Sequence, residues 1–356
     1  MLKVTFLGDI SFNDEYVEQC KRGENPFLEF ENQFHESNYV VGNLECMAEG
    51  DCGVNELKIP RLSTTLDTLS YLNNLSVNIV SLAQNHVYDN LEDGFLKTTT
   101  FLRNNNIQYL GAGLSEEDAR SKLIIENEGI KLGILNFVSH DTNPNLPSNC
   151  KVYLNYMNID QVIVDIIELK KTVDQVVLLL HWGGRVEGGY YPDWSQPKLA
   201  RQFIDAGADL IIGHHSHTVQ PYEVYKGKHI FYSLGNFCFS DYYFNGKLHP
   251  LSARHKVSLV LSVDFFIDKY EVSANYFNND IVGFSKLDGY KSKMDTRNLI
   301  FKFLFSNKIF WRTYFFNKKY VVPIFLFFNR GDLSVKEKVL RLVYSFKRRF
   351  IKFTNV

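Results

Sequence analysis

Short apolar runs recur along the chain at Lys3 to Leu7, Tyr39 to Val41, Ile79 to Leu82, Lys131 to Phe137, Gln175 to Leu180, Leu210 to Ile212 and Ile230 to Tyr232. Their length and their β-branched content predict strands, and the stretches between them carry helical patterning, so the expected class is α/β with buried sheets. After Leu66 the apolar positions Leu69, Leu72 and Leu75 follow a helical period. Leu199, Phe203 and Ile204 do the same before Gly207, a residue suited to a helix C-terminus. From Val257 to Ile267 apolar and polar residues alternate, which predicts a strand that finishes a sheet. No internal repeat and no low-complexity linker interrupts the pattern.

The polar residues that break these runs share one trait. Asp9 follows KVTFLG, Glu45 follows VVGNL, Asn85 and His86 follow IVSLAQ, His181 follows VVLLL, and His214, His215 and His217 follow LIIG. In open α/β sheets ligands bind beyond the carboxyl ends of the strands, so side chains scattered over the sequence are expected to converge there. Carboxylate oxygen, amide oxygen and imidazole nitrogen together suit Mn, Zn, Fe or Co better than Mg or Ca, which prefer all-oxygen shells. One or two such divalent ions would make a hydrolase site by lowering the pKa of a bridging water. Each residue alone has a plainer reading: Asp9 and Asn85 as turn or cap residues, His181 as a satisfied histidine at a strand end. Three imidazoles within four positions are seldom needed for packing, so the HHSH group carries most of the metal argument.

Composition adds limits. The 356 residues are 45% hydrophobic and 22% charged, enough apolar surface for a large core, and the formal net charge of -1 gives no reason to expect nucleic acid. That neutrality hides an asymmetry: from Arg297 onward about fourteen Lys and Arg face only Asp332 and Glu337. Five cysteines without CxxC spacing point to a reduced compartment. The first strand begins at once, leaving no room for a secretion signal, and no apolar run reaches the ~18 residues of a membrane-spanning helix. The expected location is the cytoplasm. The Phe, Lys and Arg rich stretches FKFLFSNKIFWRTYFF and VLRLVYSFKRRFIKF read either as basic amphipathic helices at the inner face of a membrane or as packed helices with solvated charges.

The segments LGDI (7–10), GNLE (42–45), LAQNHVYD (82–89), HWG (181–183), DAGADLIIGHHSH (205–217) and FYSLGNF (231–237) occur in the order and approximate spacing of the CapA family, which the chain resembles over about residues 1–265. That family belongs to the calcineurin-like metallophosphoesterases and is associated with capsule and poly-gamma-glutamate synthesis. The resemblance implies a layered α-β-β-α sandwich over 1–265; beyond it, 266–296 reads as a connecting segment and, from its composition, 297–356 as a basic, aromatic-rich, helical extension. The resemblance also implies roles: Asp9, Glu45, Asn85, His181, His215 and His217 as metal ligands, Glu45 in the bridging position, and His86 as proton donor or electrostatic stabiliser. His214 is an alternative ligand, and Glu187 and Asn236 are further candidates. Four departures from the family pattern, Asp14, Gln84, Arg185 and Ser216, are expected to alter the substrate-contacting shell. The implied activity is hydrolysis of a phosphoester or amide-type bond in a cell-surface polymer precursor or a small molecule. Two other readings stand beside it. One is an epimerase in which Glu45 and His86 exchange a proton, and the other is a non-catalytic assembly factor in a capsule synthase complex.

Overall fold

The computed structural model describes residues 2–30, 34–244, 247–278, 281–286 and 290–321. The strands of its two large sheets, in chain order, are β1 (Lys3–Ile10), β2 (Tyr39–Leu44), β3 (Ile79–Ser81), β4 (Gln108–Leu110), β5 (Leu123–Asn127), β6 (Ile130–Val138) and β7 (Gln175–His181). They continue with β8 (Leu210–His214), β9 (Tyr222–Tyr225), β10 (Lys228–Phe231), β11 (Asn236–Cys238), β12 (Val257–Asp264), β13 (Lys269–Asn278) and β14 (Ile281–Lys286). The longer helices are α1 (Leu91–Asn104), α2 (Ile159–Lys170), α3 (Ser195–Asp205), α4 (Tyr290–Ser306) and α5 (Lys308–Phe316).

The first sheet has eight strands in the order β14-β13-β12-β1-β2-β3-β4, with β11 also pairing to β1. The second has six, in the order β9-β10-β8-β7-β6-β5. Strands β1 to β4 are mutually parallel, as are β6, β7, β8 and β10. Parallel strands covered on both faces need continuous apolar sequence, and VVLLL of β7 is buried throughout. Val4, Phe6, Val41 and Ile79 of the first sheet and Ile134, Val177, Leu179 and Ile212 of the second form one buried cluster, so the sheets pack face to face. On the far side of the first sheet Val40, Leu44 and Val80 meet Phe95 and Leu102 of α1. On the far side of the second, α2 packs on β7, and a Cβ at Gly133 of β6 would lie 2.6 Å from Leu169 of α2. The architecture is the expected α-β-β-α sandwich.

Three local differences have physical causes. The helical period after Leu66 forms two short helices, Leu66–Leu69 and Tyr71–Asn74, joined at Ser70. Strand β11 is only three residues long and is not legible as an apolar run. The stretch 266–296, expected to connect, carries β13 and β14, because the alternation of β12 resumes after a turn and β13 pairs antiparallel along the whole of β12. A compact first unit spans Met1–Asn298 and a second spans Leu299–Val356. In the second, the rings of Phe303 and Phe310 stack at 4.7 Å and Trp311 stacks on Phe315 at 4.3 Å. The stretch VLRLVYSFKRRFIKF lies outside the described residues. Among the described residues no helix is long and apolar enough to cross a membrane.

Candidate metal centre

The layer between the sheets is aliphatic along most of its length and turns polar at the carboxyl ends of the strands. On β7 the inward residues Val177 and Leu179 are followed two positions later by His181, and on β2 Val41 is followed by Asn43. Strand β1 arrives differently. Its register against β2 shifts between Phe6 and Asp9, after which Asp9 pairs with Asn43. Such irregularities re-aim side chains at strand ends. Close approach of backbones helps too: a Cβ at Gly8 would meet the Gly235 carbonyl oxygen at 1.9 Å, and one at Gly213 the Tyr232 carbonyl oxygen at 1.9 Å. Past β8 the chain turns through His215 and His217 with φ of 87° and 56°. Non-glycine residues adopt these left-handed values at a cost, and they cluster at functional sites.

The result is a buried cluster. Asp9, Glu45 and His181 are fully inaccessible. Ligand atoms of Asp9, Glu45 and His181 lie within 4.8 Å of one another, and so do those of Glu45, His215 and His217. Glu45 belongs to both groups. Its Oε1 is 3.8 Å from His181 Nε2 and 3.7 Å from His217 Nε2, while His217 Nδ1 is 3.5 Å from Asp9 Oδ2. Asn43 donates to Asp9 Oδ1 at 2.9 Å, and the His215 amide donates to Asp9 Oδ2 at 3.3 Å. His215 Nδ1 is 3.1 Å from His181 Nε2. The structure brings His215 and His217 to Glu45. His214 sits instead with Nε2 3.3 Å from the Leu7 carbonyl, outside both groups.

Two observations test whether these residues suit a cation. Glu45 Oε2 and His215 Nε2 are buried with no hydrogen-bond partner, which costs free energy unless something is bound to them. The Asn85 amide oxygen, too, is 2.9 Å from His181 Nε2 and 3.1 Å from Glu45 Oε1, facing acceptors, while its nitrogen faces the Lys58 ammonium at 3.1 Å. Without a cation the amide satisfies these neighbours only by rotating; with one, its oxygen is already placed. Electrostatics agree. Burial, then the neighbouring imidazoles, hold His181 well below the ordinary histidine range, and burial and His217 do so for His215, leaving neutral rings of the kind metals bind. Burial pushes Glu45 up. For His217 burial acts downward, but Glu45 and Asp9 outweigh it and raise its pKa to about 10.

His86 lies beside this cluster. Its Nδ1 is 2.6 Å from Asp89 Oδ2, which also accepts from the Leu62 amide at 2.7 Å. Burial lowers the His86 pKa and Asp89 opposes that shift. Asn136 of β6 holds the preceding loop by accepting from the Ala83 amide at 2.8 Å. Over the cluster opens a cavity of about 640 Å³, lined among others by Lys58, Asn85, His86, Glu187, His217, Asn236 and Arg254. Asn236 Oδ1 is 2.9 Å from His217 Nδ1.

None of the four departures from the family pattern lines this cavity. Gln84 is buried, reaching the Leu44 carbonyl at 3.1 Å and accepting from the His86 amide, and Ser216 is buried with its hydroxyl on the Thr218 carbonyl at 2.9 Å. Asp14 accepts from Asn13 at 2.7 Å. Arg185 is exposed on the turn Gly184–Val186, which carries Glu187 to the cavity rim instead. The residues missed in the sequence are Asn43, Lys58, Asp89, Asn136 and Arg254. Of these, Asn43 and Asp89 had a signal, lying within the segments GNLE and LAQNHVYD, Asp89 three positions after His86.

Fold and site together define an α-β-β-α protein whose strand ends gather carboxylates, an amide and imidazoles in the manner of a divalent-metal centre. The profile of the family described as "Bacterial capsule synthesis protein PGA_cap" matches residues 3–241, and the chain belongs to that family. It is 32% identical to the PGA biosynthesis protein CapA of Bacillus subtilis, over 68% of this chain and 64% of that one. It is 29% identical to the capsule biosynthesis protein CapA of Bacillus anthracis, over 67% of this chain and 60% of the relative. The chain thus spans less than two thirds of the length of these curated relatives. Among solved structures, a 5'-nucleotidase precursor from Thermus thermophilus aligns with 77% of this chain and 54% of its own, at 17% identity and a TM-score of 0.43.

Proposed function

We propose that this chain is a metal-dependent hydrolase of capsule or exopolymer biosynthesis, cleaving a phosphoester or amide-type bond in a polymer precursor or a small molecule and working beside a capsule synthase. The observation that supports it most is the pair of three-residue ligand groups that share Glu45. One or two divalent ions of Mn, Zn, Fe or Co would supply Lewis-acid charge there and acidify water. Asp9, Glu45, Asn85, His181, His215 and His217 would hold that charge, Glu45 being the residue that belongs to both groups.

The remaining steps belong to the protein. Asp89 fixes the His86 ring through Nδ1, leaving Nε2 as the ring nitrogen available to the cavity. Burial lowers the His86 pKa, so the resting ring is neutral with an open Nε2 that can take up a proton and, once protonated, give it readily to a departing group. The link to capsule polymers comes from the relatives named above. The test is elemental analysis of protein made in metal-replete medium, followed by turnover assays on phosphate monoesters, phosphate diesters and γ-glutamyl amides. Stoichiometric metal with release of phosphate or amine supports the reading. Stoichiometric metal without turnover of any of them favours an assembly factor.

A further inference from the structure

Lys58 is 4% exposed, yet among the described residues no carboxylate lies within ion-pair distance of its ammonium; Asp89, Glu45 and Glu187 act on it only from farther off, and Asp89 and Glu45 are engaged by His86 and His217. Its ammonium donates to the Asn143 carbonyl at 3.0 Å and otherwise faces Asn85 at 3.1 Å. A buried ammonium normally has a carboxylate partner. Without a cation the rotated Asn85 amide accepts from Lys58 at 3.1 Å, but a cation that holds the Asn85 oxygen toward Glu45 and His181 leaves the amide nitrogen and the Lys58 ammonium facing each other as two donors. An anionic oxygen entering from the cavity would accept from both. Arg254, also in the lining, has its Nε buried and unpartnered, its guanidinium 5.8 Å from the Tyr190 ring centre. The carboxylate in the lining, Glu187, is exposed.

We propose that Lys58 is the substrate-recognising cation of this cavity, pairing with a carboxylate or phosphate oxygen of a substrate held against the candidate metal centre. Arg254 supports it from the rim. This rests on the metal-centre reading above. It assigns the substrate class as anionic next to the reacting bond, and it assigns Lys58 to substrate rather than to metal.

The experiment uses the full chain loaded with Mn. Binding of inorganic phosphate and of glutarate is measured by titration calorimetry for the natural protein, Lys58→Met and Lys58→Arg, alongside metal content and thermal melts. The natural protein is expected to bind at least one probe. Lys58→Met should keep its metal and lose at least about tenfold in affinity for that probe, and Lys58→Arg should recover most of the loss. A loss confined to phosphate assigns a phosphate oxygen, and one confined to glutarate a carboxylate. Lys58→Gln, which can still donate to the Asn143 carbonyl, replaces Lys58→Met if the latter does not fold. Unchanged affinity in a folded, metal-loaded variant overturns the proposal. So does loss of metal in step with loss of anion, because Lys58 would then be positioning Asn85. Natural protein that takes up no metal sinks the metal-centre reading itself, and that result is separate because it is seen before any probe is added.

Discussion

The strand-end cluster and the helices after Leu299 each invert the usual partition of residues, in opposite senses. In the cluster Asp9, Glu45 and His181 are fully buried, whereas in the helices Leu299, Phe303 and Ile309 are 69%, 59% and 67% exposed. Buried polar groups and exposed apolar ones are both informative, since each points to something that completes them. The difference lies in how much each specifies. A cluster of converging oxygen and nitrogen atoms defines the charge, the size and nearly the position of what it lacks. Exposed rings define only an apolar surface, because the hydrophobic effect has no direction.

If that contrast is right, the largest effects should come from Glu45. Glu45→Ala removes the ligand shared by both groups, so metal content should fall toward zero and affinity by more than about 100-fold, beyond what loss of an outer-shell partner costs. Elemental analysis after dialysis checks it; a variant that keeps a full complement would show that the two groups do not share a site. Next comes His86→Ala. It should keep its metal while turnover falls by about 10²–10⁴, the usual contribution of a positioned acid or base. Equal metal loss in this variant would make His86 a ligand.

A smaller effect follows from His217. Its pKa in the folded protein is raised to about 10 from an ordinary 6.5. A raised value stabilises the fold fully below the ordinary pKa and is lost as pH rises through the raised one. Metal-free protein should therefore melt at progressively lower temperature between pH 6.5 and 10, and His217→Ala should flatten that trend. Metal uptake at about pH 8 should release protons, read as a dependence of the calorimetric heat on buffer ionisation enthalpy. Heats that ignore the buffer would mean that His217 carries no proton for the metal to displace.

How much of this was legible in the sequence depends on the kind of element involved. Strand ends were, because a buried parallel strand needs an unbroken apolar run, and the residue that ends the run is visible; Asp9, Glu45 and His181 were found in that way. Which histidine turns inward was not. His214 follows Gly213 directly, but backbone turns at His215 and His217 with positive φ bring those two to Glu45, and no periodicity encodes such a turn. Loop residues were the least legible. Lys58 lies 27 positions before Asn85 in a segment without regular structure, and what brings them together is the packing of that loop over the strand ends. Strands β13 and β14 were missed because the alternation was read on to Ile267, past the end of β12 at Asp264 and into the turn that returns the chain.

The smallest effect concerns the helices. Their exposed Phe303, Ile309, Phe310 and Phe316 occur in a region where basic residues far outnumber acidic ones. Rings of this kind enter the bilayer interface, and neighbouring cations are drawn to anionic headgroups at about 1 kcal/mol each near the surface. That attraction falls within a Debye length, which shrinks from ~10 Å at about 0.1 M salt to ~3 Å at about 1 M. The full chain should therefore pellet with phosphatidylserine-containing vesicles at low salt and leave them as salt rises, while neutral vesicles retain little at any salt. Replacing Lys302, Lys308 and Arg312 by Glu should weaken the binding without lowering the melting temperature of the metal-loaded protein, because all three side chains are exposed. Binding that ignores both salt and these substitutions would show that the rings alone carry it. No binding at low salt would mean that the exposed rings face another surface, and that the asymmetry of charge along this chain has no part in bringing it to a membrane.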